Sequence, residues 1–170
     1  MMEESNKLLY LVRHAKSSWS NPSLDDAARP LNERGEYDAP RMGQWLAQQS
    51  AIPQQIVSSP ARRAHSTAQI IAAELGIEPG EIDIEKAFYF TGQHGMLAAI
   101  ERSDDSINRL MVVGHNPVMT ELFRTLSGEP LDNMPTCAIA VIEFPMTSWG
   151  LLDTTPGLLL AFQTPKRLAD

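Results

Sequence analysis

Two short apolar runs, far apart in the chain, each end on a histidine. The first is Leu8-Leu9-Tyr10-Leu11-Val12-Arg13-His14, and the second is Leu110-Met111-Val112-Val113-Gly114-His115. Runs of this length and composition are typical of buried β-strands. If the two strands are parallel neighbours in one sheet, both imidazoles emerge at its carboxyl edge, where open α/β sheets bind ligands. The arginine beside the first histidine makes that edge cationic, which favours phosphate chemistry.

Strand-like and helix-like segments alternate along most of the chain. Strands are predicted at residues 7–13, 55–58 and 109–113, and the segment 82–90 is ambiguous. Helices are predicted at residues 32–49, 60–76, 96–102 and 116–128. The alternation indicates a three-layer α/β/α sandwich around a mostly parallel central sheet. In the tail, residues 137–144 and 157–163 are predicted to add an antiparallel edge.

Composition narrows the class of protein further. A chain of 170 residues, 43% of them apolar, is expected to form a single domain over residues 1–170. The net charge of −7 argues against nucleic-acid binding, which needs a basic surface. The chain has neither a signal peptide nor an apolar run of about 18 residues, so we expect no membrane association and a cytoplasmic location.

The sequence predicts neither a metal nor a cofactor. Cys137 is the only cysteine, which excludes an intramolecular disulfide and a cysteine-based zinc site. The four histidines do not have the spacing of metal ligands. Signatures of P-loop nucleotidases, dinucleotide enzymes and α/β hydrolases are missing from the sequence.

Three predicted strands end at groups suited to binding a phosphoryl group. One ends at Arg13-His14, another leads through Ser59-Pro60 into a helix whose first turn carries Arg62, and a third ends at His115. Serine followed by proline is a typical helix start, with Ser59 as the N-cap. Arg62 and His115 would then lie beside helix N-termini, which favour anions. Arg13 and Arg62 are therefore candidate phosphate-binding residues.

A neutral imidazole can attack phosphorus through its unprotonated nitrogen. With an ordinary pKa of about 6.5, and with arginines nearby that favour the neutral form, His14 is the candidate covalent nucleophile. His115 would donate a hydrogen bond to the transferring group. A single histidine at a strand end is more often structural, and a single arginine after a proline is usually solvated. The convergence of three strand ends favours the catalytic interpretation.

Five segments resemble motifs of the histidine phosphatase superfamily, which also contains the phosphoglycerate mutases. These segments are the Arg-His signature at residues 11–15, the second arginine motif at 58–64, the second histidine motif at 112–117, and the segments 29–35 and 134–138. The short length and the last two segments are similar to those of the SixA-like phosphohistidine phosphatases. The resemblance implies a metal-independent phosphatase that forms a phosphohistidine intermediate.

The resemblance leaves the substrate open. The expected substrate is a phosphohistidine side chain on a partner protein, such as a phosphorelay domain. One alternative is a small-molecule phosphomonoesterase of the same fold, acting on a small phosphate ester. Another is a module that binds a phosphate ligand without catalysis.

The sequence departs from the superfamily pattern in two ways. Ala15 replaces the usual glycine after the histidine. No motif identifies the carboxylate that commonly protonates the leaving oxygen, and the candidates are Glu85, Glu81, Asp25 and Asp26. An imidazole leaving phosphorus is a weaker base than an alkoxide and does not need a strong acid, although the same gap would fit a slow, general phosphomonoesterase.

Two further cationic side chains, Lys16 and Arg63, lie close in sequence to the candidate phosphate-binding residues. Lys16 could add charge at the mouth of the pocket, or it could be a solvated loop lysine. Arg63 adjoins Arg62 but points elsewhere on the predicted helix, so we expect it to face solvent.

Overall fold

A computed structural model describes residues 6–168. Its strands are β1 (Lys7–Arg13), β2 (Gln55–Ser58), β3 (Ile82–Ile84), β4 (Arg109–Gly114), β5 (Ile139–Phe144) and β6 (Leu158–Gln163). They form one sheet in the order β3-β2-β4-β1-β5-β6. The pairs β3-β2, β2-β4 and β4-β1 are parallel, whereas β5 is antiparallel to both β1 and β6.

Helices cover both faces of this sheet. They are α1 (Glu33–Ala47), α2 (Arg62–Leu75), α3 (Ala87–Phe90), α4 (Gln93–Glu101) and α5 (Val118–Ser127). Short 3-10 turns lie at Asp26–Ala28, Pro79–Glu81, Trp149–Thr154 and Pro165–Arg167. The α/β/α architecture predicted from the sequence is confirmed, with one refinement: the antiparallel strand β5 lies one position inside the edge, which β6 forms.

The central strand β1 is buried on both faces, which explains its uninterrupted apolar sequence. Leu9 and Leu11 pack with α4 and α5 on one face. Tyr10 and Val12 pack with α1 and α2 on the other. Because successive side chains of a strand point to opposite faces, a strand between two helical layers needs apolar residues at every position.

The pairing of β1 with β4 places the two histidines side by side. Arg13 lies opposite Gly114 in this parallel ladder, so His14 and His115 leave the sheet at the same edge. The backbone N–H of His14 also donates to the carbonyl of Gly114, at 3.0 Å. The prediction that the two strands are parallel neighbours is confirmed.

The start of α2 differs from the prediction. The helix begins at Arg62 with Ala61 as the N-cap, two residues later than expected. The Ser59 hydroxyl accepts a hydrogen bond from the backbone N–H of Ala61, at 3.1 Å, which fixes the turn before the helix. The ambiguous segment 82–90 divides into β3 and the single turn α3. Between residues 6 and 168, no helix has the length and apolar character needed to cross a lipid bilayer.

Candidate active site

A cleft of about 550 Å³ opens at the carboxyl ends of β1 and β4. Arg13, His14 and His115 line it, together with Arg63 from the first turn of α2. The loop that follows β1 forms another wall through residues 16–20. The cleft lies where parallel strands end and helices begin, so its position suits a negatively charged ligand.

The imidazole of His14 is buried and held in one orientation. Only 6% of the residue is exposed, and Nδ1 lies 2.6 Å from the carbonyl oxygen of Ala15. A carbonyl can only accept, so Nδ1 carries the proton, and in the neutral ring Nε2 retains a free electron pair. Burial lowers the pKa of His14 to about 3, against the opposing effect of the Ala15 carbonyl. The ring is therefore neutral at physiological pH.

The second imidazole, that of His115, lies beside the first. The two ring centroids are 5.1 Å apart. Nε2 of His115 is 2.7 Å from the Ser59 hydroxyl, whereas Nδ1 is buried and has no partner among residues 6–168. Burial lowers the pKa of His115 to about 4, and the charge of Arg63 contributes in the same direction.

Asp26 organises the arginines on one side of the cleft. Arg63 donates from Nη1 to the backbone carbonyl of Asp26, at 2.7 Å, and from Nη2 to its carboxylate, at 2.9 Å. Arg29 lies 3.3 Å from the other carboxylate oxygen, and Tyr89 donates its hydroxyl proton to Asp26 at 2.7 Å. These partners, Tyr89 first, hold the pKa of Asp26 at about 2. Asp26 is thus an anion across the physiological range.

Arg13 approaches the cleft from the end of β1. Its Nη1 donates to the carbonyl of Met134, at 2.8 Å, which ties the guanidinium to the segment before β5. This contact orients the side chain, and Nε is buried with no hydrogen-bond partner among residues 6–168.

Three buried nitrogens of the cleft residues have no hydrogen-bond partner among residues 6–168. They are Nε of Arg13, Nε of Arg63 and Nδ1 of His115. A buried donor without a partner typically costs about 1–3 kcal/mol, and such groups are rare in folded proteins. The oxygens of a phosphoryl group are strong hydrogen-bond acceptors. A phosphoryl group bound in the cleft would therefore satisfy the two guanidiniums and the imidazole.

The segment 29–35 holds the loop after β1 in place. The backbone N–H of Asn32 donates to the carbonyl of Lys16 at 3.0 Å, and the Asn32 side chain accepts from the N–H of Gly35 at 2.8 Å. A side chain at Gly35 would collide with the Lys16 carbonyl, so the loop and α1 approach each other as only glycine permits. Arg29, in the same segment, places its guanidinium carbon 3.5 Å from the ring centroid of Trp19.

Sequence and structure comparisons agree with this geometry. Residues 9–88 match the family model of the histidine phosphatase superfamily (branch 1). The chain is 32% identical, over 152 residues, to an uncharacterised chloroplastic protein of Arabidopsis thaliana, covering 85% of this chain and 69% of that one. The chain belongs to the histidine phosphatase superfamily.

Solved structures of this superfamily have the same fold. A candidate phosphohistidine phosphatase SixA from Agrobacterium tumefaciens is 28% identical, with a TM-score of 0.78 over 94% of this chain and 98% of that one. The protein histidine phosphatase SixA complexed with tungstate superposes with a TM-score of 0.75 over 95% and 99% of the two chains, at 20% identity. The SixA-like histidine phosphatases thus share the architecture of this chain over nearly its full length.

Four of the six predicted site residues line the cleft of this histidine phosphatase: Arg13, His14, Lys16 and His115. Arg62 does not. It is exposed at the surface of α2, whereas Arg63 lines the cleft and is only 6% exposed. The assignment of Arg62 to the site, and of Arg63 to solvent, was therefore wrong. The reason is that Arg63 lies on the buried face of α2, in line with Thr67 and Ile71, whereas Arg62 lies on the exposed face.

Glu85 also lies outside the cleft. Its carboxylate accepts from the backbone N–H of Ala87, at 3.1 Å, and lines a separate pocket between β2 and α4. Of the four candidate carboxylates, Asp26 lines the cleft. Ala15, in place of the superfamily's glycine, is fully buried and donates its N–H to Thr67, so the loop keeps a firm anchor.

The sequence analysis did not identify Ser59, Arg63 or Tyr89 as site residues. Ser59 and Arg63 belong to the second arginine motif, but Ser59 was predicted to be a helix cap and Arg63 to face solvent. Tyr89 comes from the ambiguous segment and reaches the site through Asp26. Within residues 6–168, no group of three or more His, Cys, Asp and Glu side chains is arranged to hold a metal ion.

Proposed function

We propose that this protein is a phosphatase that transfers the phosphoryl group of a phosphohistidine side chain to His14 and then to water. One observation carries the proposal: Nδ1 of His14 donates its proton to the Ala15 carbonyl, so the electron pair on Nε2 is free to attack phosphorus. The lowered pKa keeps that pair unprotonated at neutral pH. Membership of the histidine phosphatase superfamily supports phosphatase chemistry in general.

In the first step, Nε2 of His14 forms a bond to phosphorus and the bond from phosphorus to the substrate nitrogen breaks. The substrate imidazole is protonated on its other nitrogen before cleavage, so it departs as a neutral ring. The His14 ring becomes a phosphorylated imidazolium, whose Nδ1 proton stays bonded to the Ala15 carbonyl. In the second step, water attacks phosphorus, the bond to Nε2 breaks, and inorganic phosphate leaves.

Arg13, Arg63 and His115 stabilise the negative charge on the transferring group. The two guanidiniums are permanently charged and fixed by Met134 and Asp26. The Ser59 hydroxyl accepts from Ala61, so its own proton is available to Nε2 of His115. In that arrangement the His115 proton resides on Nδ1, which becomes a donor to a phosphoryl oxygen.

The state of Asp26 favours phosphohistidine over phosphate esters as substrate. An alkoxide leaving group needs a proton in the transition state, and a carboxylate with a pKa of about 2 cannot supply one near neutral pH. Asp26 is the only carboxylate of the described chain that lines the cleft. An imidazole leaving group, with a conjugate-acid pKa of about 6.5, departs without such help.

A side-by-side rate comparison tests this proposal. The purified protein is assayed on a phosphohistidine-containing phosphotransfer domain and on a panel of sugar, nucleotide and aryl phosphates. We expect kcat/KM to be at least ~100-fold higher on the phosphohistidine protein, since no general acid assists ester cleavage. Comparable or faster turnover of the esters would instead identify a small-molecule phosphomonoesterase.

Variants of His14 separate catalysis from binding. We expect His14→Ala to abolish turnover and His94→Ala, at an exposed position on α4, to leave it unchanged. Tight phosphate binding without turnover by the wild-type protein would identify a non-catalytic module and contradict the proposal.

A further inference from the structure

A second groove continues the catalytic cleft on the side of Lys16. This side groove has a volume of about 370 Å³, and its polar lining residues are Lys16, Arg34, Asp38, Thr136, Thr164 and Lys166. Lys16 and Thr136 line the catalytic cleft as well, so the two cavities share a wall. The side groove therefore adjoins the catalytic cleft at Lys16 and Thr136.

The side groove is positively charged within an acidic protein. The whole chain carries 21 acidic and 14 basic residues, yet the groove has three cations and one carboxylate. That carboxylate, Asp38, is buried and already paired with Arg34 at 3.2 Å. Among the ion pairs of the described chain, none involves Lys16 or Lys166. Two unpaired ammonium groups thus face one groove.

Both lysines are carried by anchored backbone. The Lys16 carbonyl accepts from the backbone N–H of Asn32, and Gly35 packs closely against the same carbonyl. Lys166 lies in the 3-10 turn Pro165–Arg167, where Pro165 is buried and the Thr164 side chain accepts from the N–H of Arg167. The positions of the charges are therefore set by the fold, although the ammonium groups themselves are exposed.

We propose that the side groove binds acidic side chains that flank the phosphohistidine of the partner protein. This inference rests on the proposed function and names the chemistry of the partner. An extended chain advances about 3.3–3.6 Å per residue, so the first few neighbours of a phosphohistidine seated in the cleft can reach the adjoining side groove. Carboxylates at those positions pair with the Lys16 and Lys166 ammonium groups, and this local charge complementarity favours binding.

Two synthetic peptides test the proposal. They share one sequence with a central phosphohistidine, and the three positions on either side carry glutamate in one peptide and glutamine in the other. At low ionic strength we expect the wild-type KM to be about tenfold lower for the glutamate peptide, with kcat equal for both. Phosphoimidazole, which has no flanking residues, serves as the small substrate.

Lys166 is the residue to change, because Lys16 also lines the catalytic cleft and Arg34 neutralises buried Asp38. We expect Lys166→Gln to raise the KM for the glutamate peptide about threefold and Lys166→Glu about tenfold. Neither variant should alter the rate on phosphoimidazole. The matched control is Arg102→Glu, at an exposed position after α4 and before the opposite end of β4.

Two results overturn the inference in distinguishable ways. The side groove does not contact acidic flanking residues if the wild-type KM is equal for the two peptides. The same conclusion follows if the Lys166 substitutions leave the KM for the glutamate peptide unchanged. Hydrolysis of phosphate esters without any hydrolysis of either peptide or of phosphoimidazole overturns the proposed function itself, and this inference with it.

Discussion

Arg63 holds Asp26 through two hydrogen bonds, one from Nη1 to the backbone carbonyl at 2.7 Å and one from Nη2 to the carboxylate at 2.9 Å. The contact joins the first turn of α2 to the loop between β1 and α1, two segments that the sequence separates by 37 positions. It keeps a buried guanidinium at the wall of the catalytic cleft. The Nε of Arg63 has no hydrogen-bond partner among the described residues.

The adjacent arginines give a matched pair of variants. We expect Arg63→Ala to reduce kcat/KM by about 100–1,000-fold, because one preorganised donor to the transition state is worth roughly 3–4 kcal/mol. Arg62→Ala should change kcat/KM by less than about twofold, since Arg62 is exposed and away from the cleft. Steady-state kinetics on a phosphohistidine substrate measure both. A larger loss for Arg62→Ala would contradict the placement of the two side chains.

Asp26 and Asp25 form a second matched pair. Asp26→Asn removes the carboxylate that orients Arg63 and Arg29, so we expect kcat/KM to fall about tenfold or more. Because the Asp26 side chain is half exposed, the loss in unfolding free energy should be only about 1 kcal/mol. Asp25→Asn should change neither quantity. Urea denaturation measures the unfolding free energy of the two variants, and steady-state kinetics measure kcat/KM. An equal fall in kcat/KM for both variants would argue against a positioning role for Asp26.

The contribution of Asp26 to stability has a defined pH dependence. Its pKa is lowered in the folded protein to about 2, from an ordinary value of 3.8. The stabilisation is therefore present above about pH 4 and is lost as the pH falls toward 2. The Asp26→Asn variant should lack this part of the acid-induced loss.

The two site imidazoles should remain neutral well below their ordinary pKa. Burial lowers the pKa to about 3 for His14 and about 4 for His115. As the pH falls below 6.5, the unfolded chain binds protons that the folded chain does not, so folding loses stability, by roughly 2 kcal/mol for each ring at pH 5. Above about pH 8 the two rings contribute no such dependence.

Proton NMR of the imidazole signals measures these ionisations directly. Assignment uses His65→Gln and His94→Gln, which leave the cleft residues in place. We expect the His14 and His115 signals to show no titration between pH 8 and pH 5 in the free protein. A midpoint near 6.5 for His14 would remove the argument that the ring is held neutral. In the double variant His14→Gln/His115→Gln, the corresponding part of the pH-dependent loss of stability should disappear.

Gly35 supports the catalytic loop from α1. A β-carbon at this position meets the backbone carbonyl of Lys16, and backbone atoms cannot yield as a flexible side chain can. We expect Gly35→Ala to cost about 1–3 kcal/mol in unfolding free energy and to lower kcat/KM, because the loop after His14 must shift. Gly80→Ala is the control, since a β-carbon there meets nothing within 4 Å. Unchanged activity in Gly35→Ala would show that the loop position is not critical.

The histidine pair was predicted correctly from the sequence, whereas the second arginine was assigned to the wrong residue. The apolar runs of β1 and β4 leave few arrangements other than parallel neighbours, and each run ends on its histidine. On α2, the error came from assigning the arginine of the motif to Arg62, in the first turn of the predicted helix. The buried face of the helix includes Arg63, Thr67 and Ile71, spaced four residues apart. That spacing was visible in the sequence and assigns Arg63, not Arg62, to the side facing the sheet.

The network around Asp26 illustrates what the sequence alone does not determine. Tyr89 lies 63 positions from Asp26, in a segment without clear periodicity, and nothing local indicates that its hydroxyl reaches the Asp26 carboxylate. Ser59 has the sequence context of a helix cap but contacts His115 instead, because the helix starts at Arg62. Such contacts depend on how loops pack at the sheet edge, which strand and helix patterns do not specify.

The most direct test is the identity of the phosphorylated atom. Rapid mixing of the wild-type protein with a ³²P-labelled phosphohistidine substrate, quenching in alkali and peptide mapping should yield a phosphoenzyme labelled at His14. NMR coupling between ³¹P and ¹⁵N in the labelled protein should then locate the phosphoryl group on Nε2, the nitrogen that the Ala15 carbonyl leaves free. A phosphoryl group on Nδ1, on His115, or on no residue at all during turnover would contradict the mechanism.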